Sequence, residues 1–251
     1  LLESLEGKRG YPRLKPPFPA VVGLYGGPTV INNVETMATV PAIVRLGAQT
    51  YAAYGTEKSK GTRIYCLSGH VNHPGNYELP LGTPLRTLIE DFGGGVRLGR
   101  KVKAITPGGS SASLMTAEQL DTPLDYEAVA AAGSMLGSGG VIVLDDQTCI
   151  VGAVLRMTEF YRDESCGKCT PCREGTFWLV QLLERLEDGH GKESDIPLLL
   201  DICDNMVGGK CFCPLGDAAT ASIVSSIKLF RDEYIHHART GGCLVGSKAR
   251  E

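Results

Sequence analysis

The chain has no long apolar run: a membrane-spanning helix needs roughly 18 such residues, and no stretch approaches that. It also lacks an excess of charge of either sign. Its 25 basic and 28 acidic residues leave a net charge of −3, which gives neither nucleic acid nor an anionic membrane an electrostatic handle. The opening Leu1-Leu-Glu-Ser-Leu-Glu-Gly7 is amphipathic and acidic, unlike a signal peptide. Two glycine-rich stretches, Gly108-Gly-Ser-Ser-Ala112 and Gly133-Ser-Met-Leu-Gly-Ser-Gly-Gly140, lack the Gly-Lys-Ser/Thr of a P-loop. Neither forms G-x-G-x-x-G ahead of a helix, so both read as tight loops rather than phosphate cradles. These absences predict a cytoplasmic protein with a packed core. Its 251 residues leave room for two domains, or for one and two partial ones.

Against these absences stand nine cysteines. An odd number, three of them clustered, points to a reducing compartment and metal ligation rather than a disulfide scaffold. Cys166, Cys169 and Cys172 recur every third residue in Glu164-Ser-Cys-Gly-Lys-Cys-Thr-Pro-Cys-Arg-Glu-Gly-Thr176. Thr170 followed by Pro171 predicts a helix N-cap with proline at the first helical position. Cys172 then falls in the first turn, where free amides and the helix dipole favour a thiolate. A loop curling around one point brings such sulfurs to three corners of a cube, as C-x2-C-x2-C runs do for a [4Fe–4S] cluster. A structural zinc more usually draws on two separated C-x2-C pairs, and this chain has no second one. Candidates for a fourth ligand are Cys203, Cys211, Cys213 and Cys243, with Cys66 and Cys149 more distant. Pro214 after Cys213 resembles the Cys-Pro of cluster runs, but spacing alone does not separate Cys213 from Cys211.

Three segments follow from the change of period along the chain. Residues 1–60 begin inside a helix and continue through the rigid, non-helical Lys15-Pro-Pro-Phe-Pro19. A turn at 24–29 leads to a helix from Val34, capped by Asn32 or Asn33, with Met37, Val40, Pro41, Val44 and Leu46 as its apolar positions. Residues 61–146 offer strands at Arg63–Ser68, Tyr77–Leu79, Val102–Thr106 and Val141–Leu144. A short helix at 84–91 lies between the second and third, giving a β-grasp-like α+β unit. Residues 147–251 carry four amphipathic stripes. They are Val151/Val154/Leu155/Thr158/Tyr161, Trp178/Leu179/Leu182/Leu183/Leu186, Leu199/Ile202/Cys203/Met206 and Ile223/Ile227/Phe230/Tyr234. Four helices with short connections predict a bundle, with the cysteine loop and Cys211/Cys213 at the same end. His236 and His237 read as solvated helix residues.

The motif around Cys166, with Phe212-Cys-Pro-Leu-Gly-Asp-Ala-Ala219 downstream, closely resembles the NADH-binding flavoprotein subunit of respiratory complex I. Leu2-Glu-Ser-Leu-Glu-Gly7, Lys15-Pro-Pro-Phe-Pro-Ala20, Ile31-Asn-Asn-Val-Glu-Thr36 and the loop at 133–140 match the same family in the same order. The diaphorase subunits of NAD-reducing hydrogenases and NAD-dependent formate dehydrogenases share these motifs and are the alternative. The resemblance implies an α+β multidomain chain in three parts. These are the tail of a flavin-binding α/β domain (1–60), a ubiquitin-like β-grasp module (61–146) and a four-helix iron–sulfur domain (147–251).

The resemblance also implies site residues: Cys166, Cys169, Cys172 and Cys213 for the [4Fe–4S] cluster, Asn32 and Asn33 for FMN, Lys15 and Phe18 for NADH. It implies electron flow from NADH through FMN to the cluster and on towards quinone, the flavin converting hydride transfer into single electrons. Lys168 and Arg173 stand where they can offset cluster charge. The implied partners are other peripheral-arm subunits, including the small [2Fe–2S] thioredoxin-like subunit and the large iron–sulfur subunit. The implied location is peripheral, on the inner face of an energy-transducing membrane. The family's glycine-rich FMN/NADH loop and its Gly-Glu-Glu-Thr-Ala stretch are not present. The expectation is therefore a C-terminal part of a longer subunit, unable by itself to bind FMN tightly or oxidise NADH. Two other classes stay open at this level: a non-catalytic scaffold with a structural metal, and a zinc-bound interaction domain.

Overall fold

The computed structural model describes residues 1–245; residues 246–251 of the C-terminal segment lie outside the described residues. After a one-turn helix α1 (Leu2–Leu5), the proline segment is non-helical and leads to α2 (Val34–Leu46) and α3 (Ala48–Ala52). Asn33 caps α2, its Oδ1 accepting from the Thr36 amide at 3.3 Å, while Asn32 lies just outside. None of the α2 side chains is buried: Met37, Val40, Val44 and Leu46 all face out. What fixes α2 is polar, since Glu35 Oε1 accepts from the Ile64 amide at 2.9 Å.

The sheet holds β1 (Thr62–Gly69), β2 (Gly75–Pro80), β3 (Val102–Thr106), β4 (Met115–Thr116) and β5 (Gly140–Asp145) in the order β2-β1-β5-β3-β4. β1 and β2 form an antiparallel hairpin, and β1 runs parallel to β5 at the centre. β5 alternates as a central strand covered on both faces should. Val141 and Val143 join Tyr65, Leu67, Leu85, Leu88 and Ile105 in one core, while Leu144 and Ala104 join the helical core on the other side. The first of these cores is closed by α4 (Leu85–Thr87), which continues as a wider turn over Leu88–Phe92, and by α5 (Tyr126–Ala131). Sequence pattern predicts neither β4 nor α5. A two-residue strand has no period to detect, and α5 is defined by its cap, Asp125 Oδ1 accepting from the Ala128 amide at 2.6 Å.

The remainder is helical, but its described residues form five helices where the stripes predict four: α6 (Ile150–Glu164), α7 (Thr170–Glu187), α8 (Asp195–Asp204), α9 (Leu215–Leu229) and α10 (Arg231–Thr240). The long last stripe is broken at Phe230, whose φ of −130° and ψ of 36° are not helical. The break turns α10 back, so that the Tyr234 hydroxyl lies 2.7 Å from that of Ser226. In an unbroken helix residues eight apart would be displaced by ~12 Å along the axis, out of reach. The apolar stripe survives the break because Ile223, Ile227 and Tyr234 still enter one core. Trp178, expected on the buried face of α7, is half exposed, and Val180 fills the inner position instead. No described helix is long and apolar enough to cross a membrane.

Candidate functional site

The loop between α6 and α7 carries the clustered cysteines. Gly167, at φ +72°, turns it in the left-handed region that a side chain resists. Cys169, not Thr170, is the N-cap residue of α7; Thr170 is the first helical residue and Pro171 follows it. The shift costs the helix nothing, because proline's missing amide is still one of the unpaired first-turn donors. Cys172 sits in the first turn as expected, buried, with Thr176 Oγ1 donating to its carbonyl at 2.8 Å.

Cys166, Cys169, Cys172 and Cys213 all line one cavity of about 280 Å³, together with Ser165, Lys168, Phe212, Leu215, Tyr11 and Pro12. The α8–α9 connection reaches it through Phe212, whose amide points at Cys169 Sγ at 3.4 Å. Cys211 does not line the cavity; it is buried against Gly216 and beside Cys169. Burial, then the neighbouring Cys169 and Cys172, push the Cys211 thiol up to about 12, so it resists ionisation. At Cys169 burial raises the pKa, but amide donors from Phe212 and Cys172 outweigh it and lower the pKa overall. Cys172 is raised, chiefly by burial and against a contact with Ser165 Oγ at 3.2 Å. Cys203 is fully buried within the helical core.

The N-terminal segment covers this cavity. Lys168 Nζ donates to the Pro12 carbonyl at 3.2 Å and lies 4.1 Å from the Phe212 ring centre and 5.4 Å from that of Tyr11. Lys168 is thus a strap between two segments. Arg173 binds Glu174 at 2.7 Å and the Gly167 carbonyl at 3.3 Å, which holds the loop. Lys168→Met should cost about 2 kcal/mol of local stability, one hydrogen bond and two exposed cation–π contacts, or about thirtyfold faster amide exchange around Tyr11 and Arg13. Unchanged exchange there would show that the strap contributes nothing.

The residues assigned to FMN and NADH are less gathered. Lys15 lines a second cavity of about 190 Å³ that shares Leu1, Tyr11 and Pro12 with the first. Phe18, Asn32 and Asn33 do not line it; all three are exposed, Phe18 by 58%. His237 corrects its expected solvated position. It is buried, with Nε2 3.2 Å from Cys149 Sγ. Sequence period alone misses it because α10 turns inward only after the Phe230 break.

Residues 152–237 match the NADH-ubiquinone oxidoreductase-F iron-sulfur binding region, and residues 64–114 match the SLBB domain. The first match spans all four cavity cysteines. The F subunit of NADH-quinone oxidoreductase from Mycobacterium tuberculosis is 61% identical over 243 residues, 97% of this chain and 54% of that protein. This chain is a homologue of the NADH-quinone oxidoreductase F subunit. The Streptomyces coelicolor F subunit is 58% identical, again over 97% of the chain and 54% of that protein. The chain therefore spans about half the length of the curated relatives it matches. Among solved structures, an NAD+-reducing [NiFe]-hydrogenase in the H2-reduced state superposes with a TM-score of 0.85 at 35% identity, over 95% of this chain and 40% of that one. That likeness extends to the mixed α/β fold of this chain, whose own sheet has five strands among the described residues.

Proposed function

We propose that the chain is the iron–sulfur-bearing part of an F subunit of NADH-quinone oxidoreductase, passing electrons that originate on NADH and FMN through a [4Fe–4S] cluster towards quinone. The observation that carries this reading is the meeting of Cys166, Cys169, Cys172 and Cys213 at one cavity within the matched iron–sulfur region. Their spacing favours a cluster over a single ion. Among the described residues, no three of these sulfurs lie within 4.8 Å of one another. A single tetrahedral ion would draw its ligands closer, whereas a cubane takes one thiolate at each of four irons.

When bound, the cluster supplies one-electron transfer. The chain's part is to hold and cover it. The α7 N-terminus and the Phe212 amide stabilise negative charge on the thiolates. Tyr11, Pro12 and Phe212 line the cavity beside the sulfurs and place apolar surface against the cluster. In this reading Asn32 and Asn33 contact FMN, while Lys15 and Phe18 line the NADH site. Support comes from their position on the segment whose Tyr11 and Pro12 also close the cysteine cavity.

The same reading divides the chain into a flavin-domain tail (1–60), a β-grasp module (61–146) and an iron–sulfur helical domain (147–251). The β2-β1-β5-β3-β4 order with a parallel central pair supports the middle assignment. The proposed neighbours are the small [2Fe–2S] subunit and the large iron–sulfur subunit of a peripheral arm. The hydrogenase likeness keeps a diaphorase subunit as the second reading, but the 61% relatives favour the first.

The test is an optical and EPR spectrum of anaerobically purified protein, before and after dithionite. A brown protein that becomes paramagnetic on reduction is the expected result. A colourless, EPR-silent protein with zinc in the 166–213 site would overturn it.

A further inference from the structure

A second cluster of metal-ligating side chains lies at the other end of the α6–α7 hairpin. Cys149 caps α6 at its N-terminus, His237 projects from α10 and Cys243 follows that helix. Their ligand atoms, two Sγ and one imidazole nitrogen, all lie within 4.8 Å of one another, the one such triad among the described residues. Glu187, the last residue of α7, stands beside two of the three: its Oε1 is 3.2 Å from Cys149 Sγ and 3.5 Å from His237 Nε2, so a turn of its side chain towards Cys243 makes it the fourth donor. α6 has 15 residues, so about 22 Å of helix separates this site from the 166–172 loop.

We propose that Cys149, His237, Cys243 and Glu187 bind one zinc ion, distinct from the iron–sulfur site. Zinc bonds of about 2.3 Å to sulfur and 2.0–2.2 Å to nitrogen or oxygen put tetrahedral ligands roughly 3.3–3.8 Å apart. The contacts of 3.2, 3.2 and 3.5 Å among Cys149, His237 and Glu187 are close to those edges. The imidazole is already oriented for a metal. His237 Nδ1 faces the Leu186 carbonyl at 3.3 Å, so Nδ1 carries the proton and Nε2 turns its lone pair towards Cys149. His237 and Cys149 are 1% and 2% exposed, whereas Glu187 and Cys243 reach the surface, which leaves an entry path.

Entry of the ion displaces two thiol protons to solvent and leaves Cys149 and Cys243 as thiolates, with no change of oxidation state. The bound ion ties the start of α6, the end of α7 and the chain after α10 into one knot.

The experiment is metal analysis and zinc-edge X-ray absorption on the anaerobically purified chain carrying its iron. The expected result is about one zinc per chain, with two sulfur neighbours near ~2.3 Å and two lighter ones near ~2.0–2.2 Å. Cys243→Ser, in the stretch after the last helix, should lower retained zinc by about tenfold or more, with iron content unchanged. Glu187→Gln, whose amide oxygen is a weaker donor, should weaken retention in the same direction. Zinc absent from the wild-type chain would overturn the proposal. So would zinc retained in both variants, or Cys149 and Cys243 recovered as a disulfide without zinc. Because the readout is zinc with iron held constant, failure here is separable from failure of the iron–sulfur reading.

Discussion

Cys213→Ala should reduce the iron content from about four per chain to three or fewer, leaving a labile or three-iron cluster, while Cys211→Ala should retain all four. The two cysteines are two residues apart, yet they occupy different environments. Cys213 lines the cavity with Cys166, Cys169 and Cys172, so its loss removes the only protein ligand of one iron. Cys211 lies behind the cavity wall, where a Cβ on Gly216 would come within 2.9 Å of its own Cβ. There it serves as a small buried apolar side chain, and burial holds its thiol protonated. Iron and acid-labile sulfide assays, with EPR after dithionite, distinguish the two variants directly. Equal cluster loss in both would sink the assignment of the fourth ligand, and loss in Cys211→Ala alone would reverse it.

Gly69→Ala should destabilise the chain by about 2–5 kcal/mol. Gly69 ends β1 at φ +87°, where an L side chain costs about 1–2 kcal/mol. It also pairs with Val143 of β5, and an added Cβ would strike the Val143 carbonyl and lie 2.8 Å from the Val143 nitrogen. Backbone cannot yield as a flexible side chain does, so overpacking adds about 1–3 kcal/mol. The strain falls on the parallel β1–β5 pair at the centre of the sheet, and its effect should reach both cores, because β5 contributes to each. A domain of this kind has about 5–15 kcal/mol in total, so the loss is large. Denaturant unfolding followed by far-UV circular dichroism measures it. A change below about 0.5 kcal/mol would show that the two strands do not pair as closely as the structure places them.

Much of the sheet is legible in the sequence because its strands alternate. The Arg63–Ser68 and Tyr77–Leu79 runs lie inside β1 and β2, and the helix beginning near Leu85 appears with Leu85, Leu88 and Ile89 buried. The helices after residue 147 are legible as stripes, but their number is not. Nothing in Ile223, Ile227, Phe230 and Tyr234 signals a break, since the break preserves which residues face inward while changing the chain's direction. The Trp178 position fails for a related reason. An aromatic side chain at the edge of a stripe is placed by the shape of its neighbours, and here Val180 is the better fit to the core.

The sequence alone determined the local chemistry of the 166–172 loop. Three cysteines at that spacing beside a helix start are a property of adjacent residues, and adjacency needs no fold. The four motifs elsewhere in the chain likewise carried the likeness to the flavoprotein family. Only the tertiary structure brought residues distant in sequence to one point. It set Cys213 rather than Cys211 at the cavity, laid Tyr11 and Pro12 over it through Lys168, and gathered Cys149, Glu187, His237 and Cys243 at the opposite end. The physical reason is that such meetings depend on helix packing angles and on one non-helical residue, Phe230, summed over many weak contacts. No local pattern of residues encodes that sum.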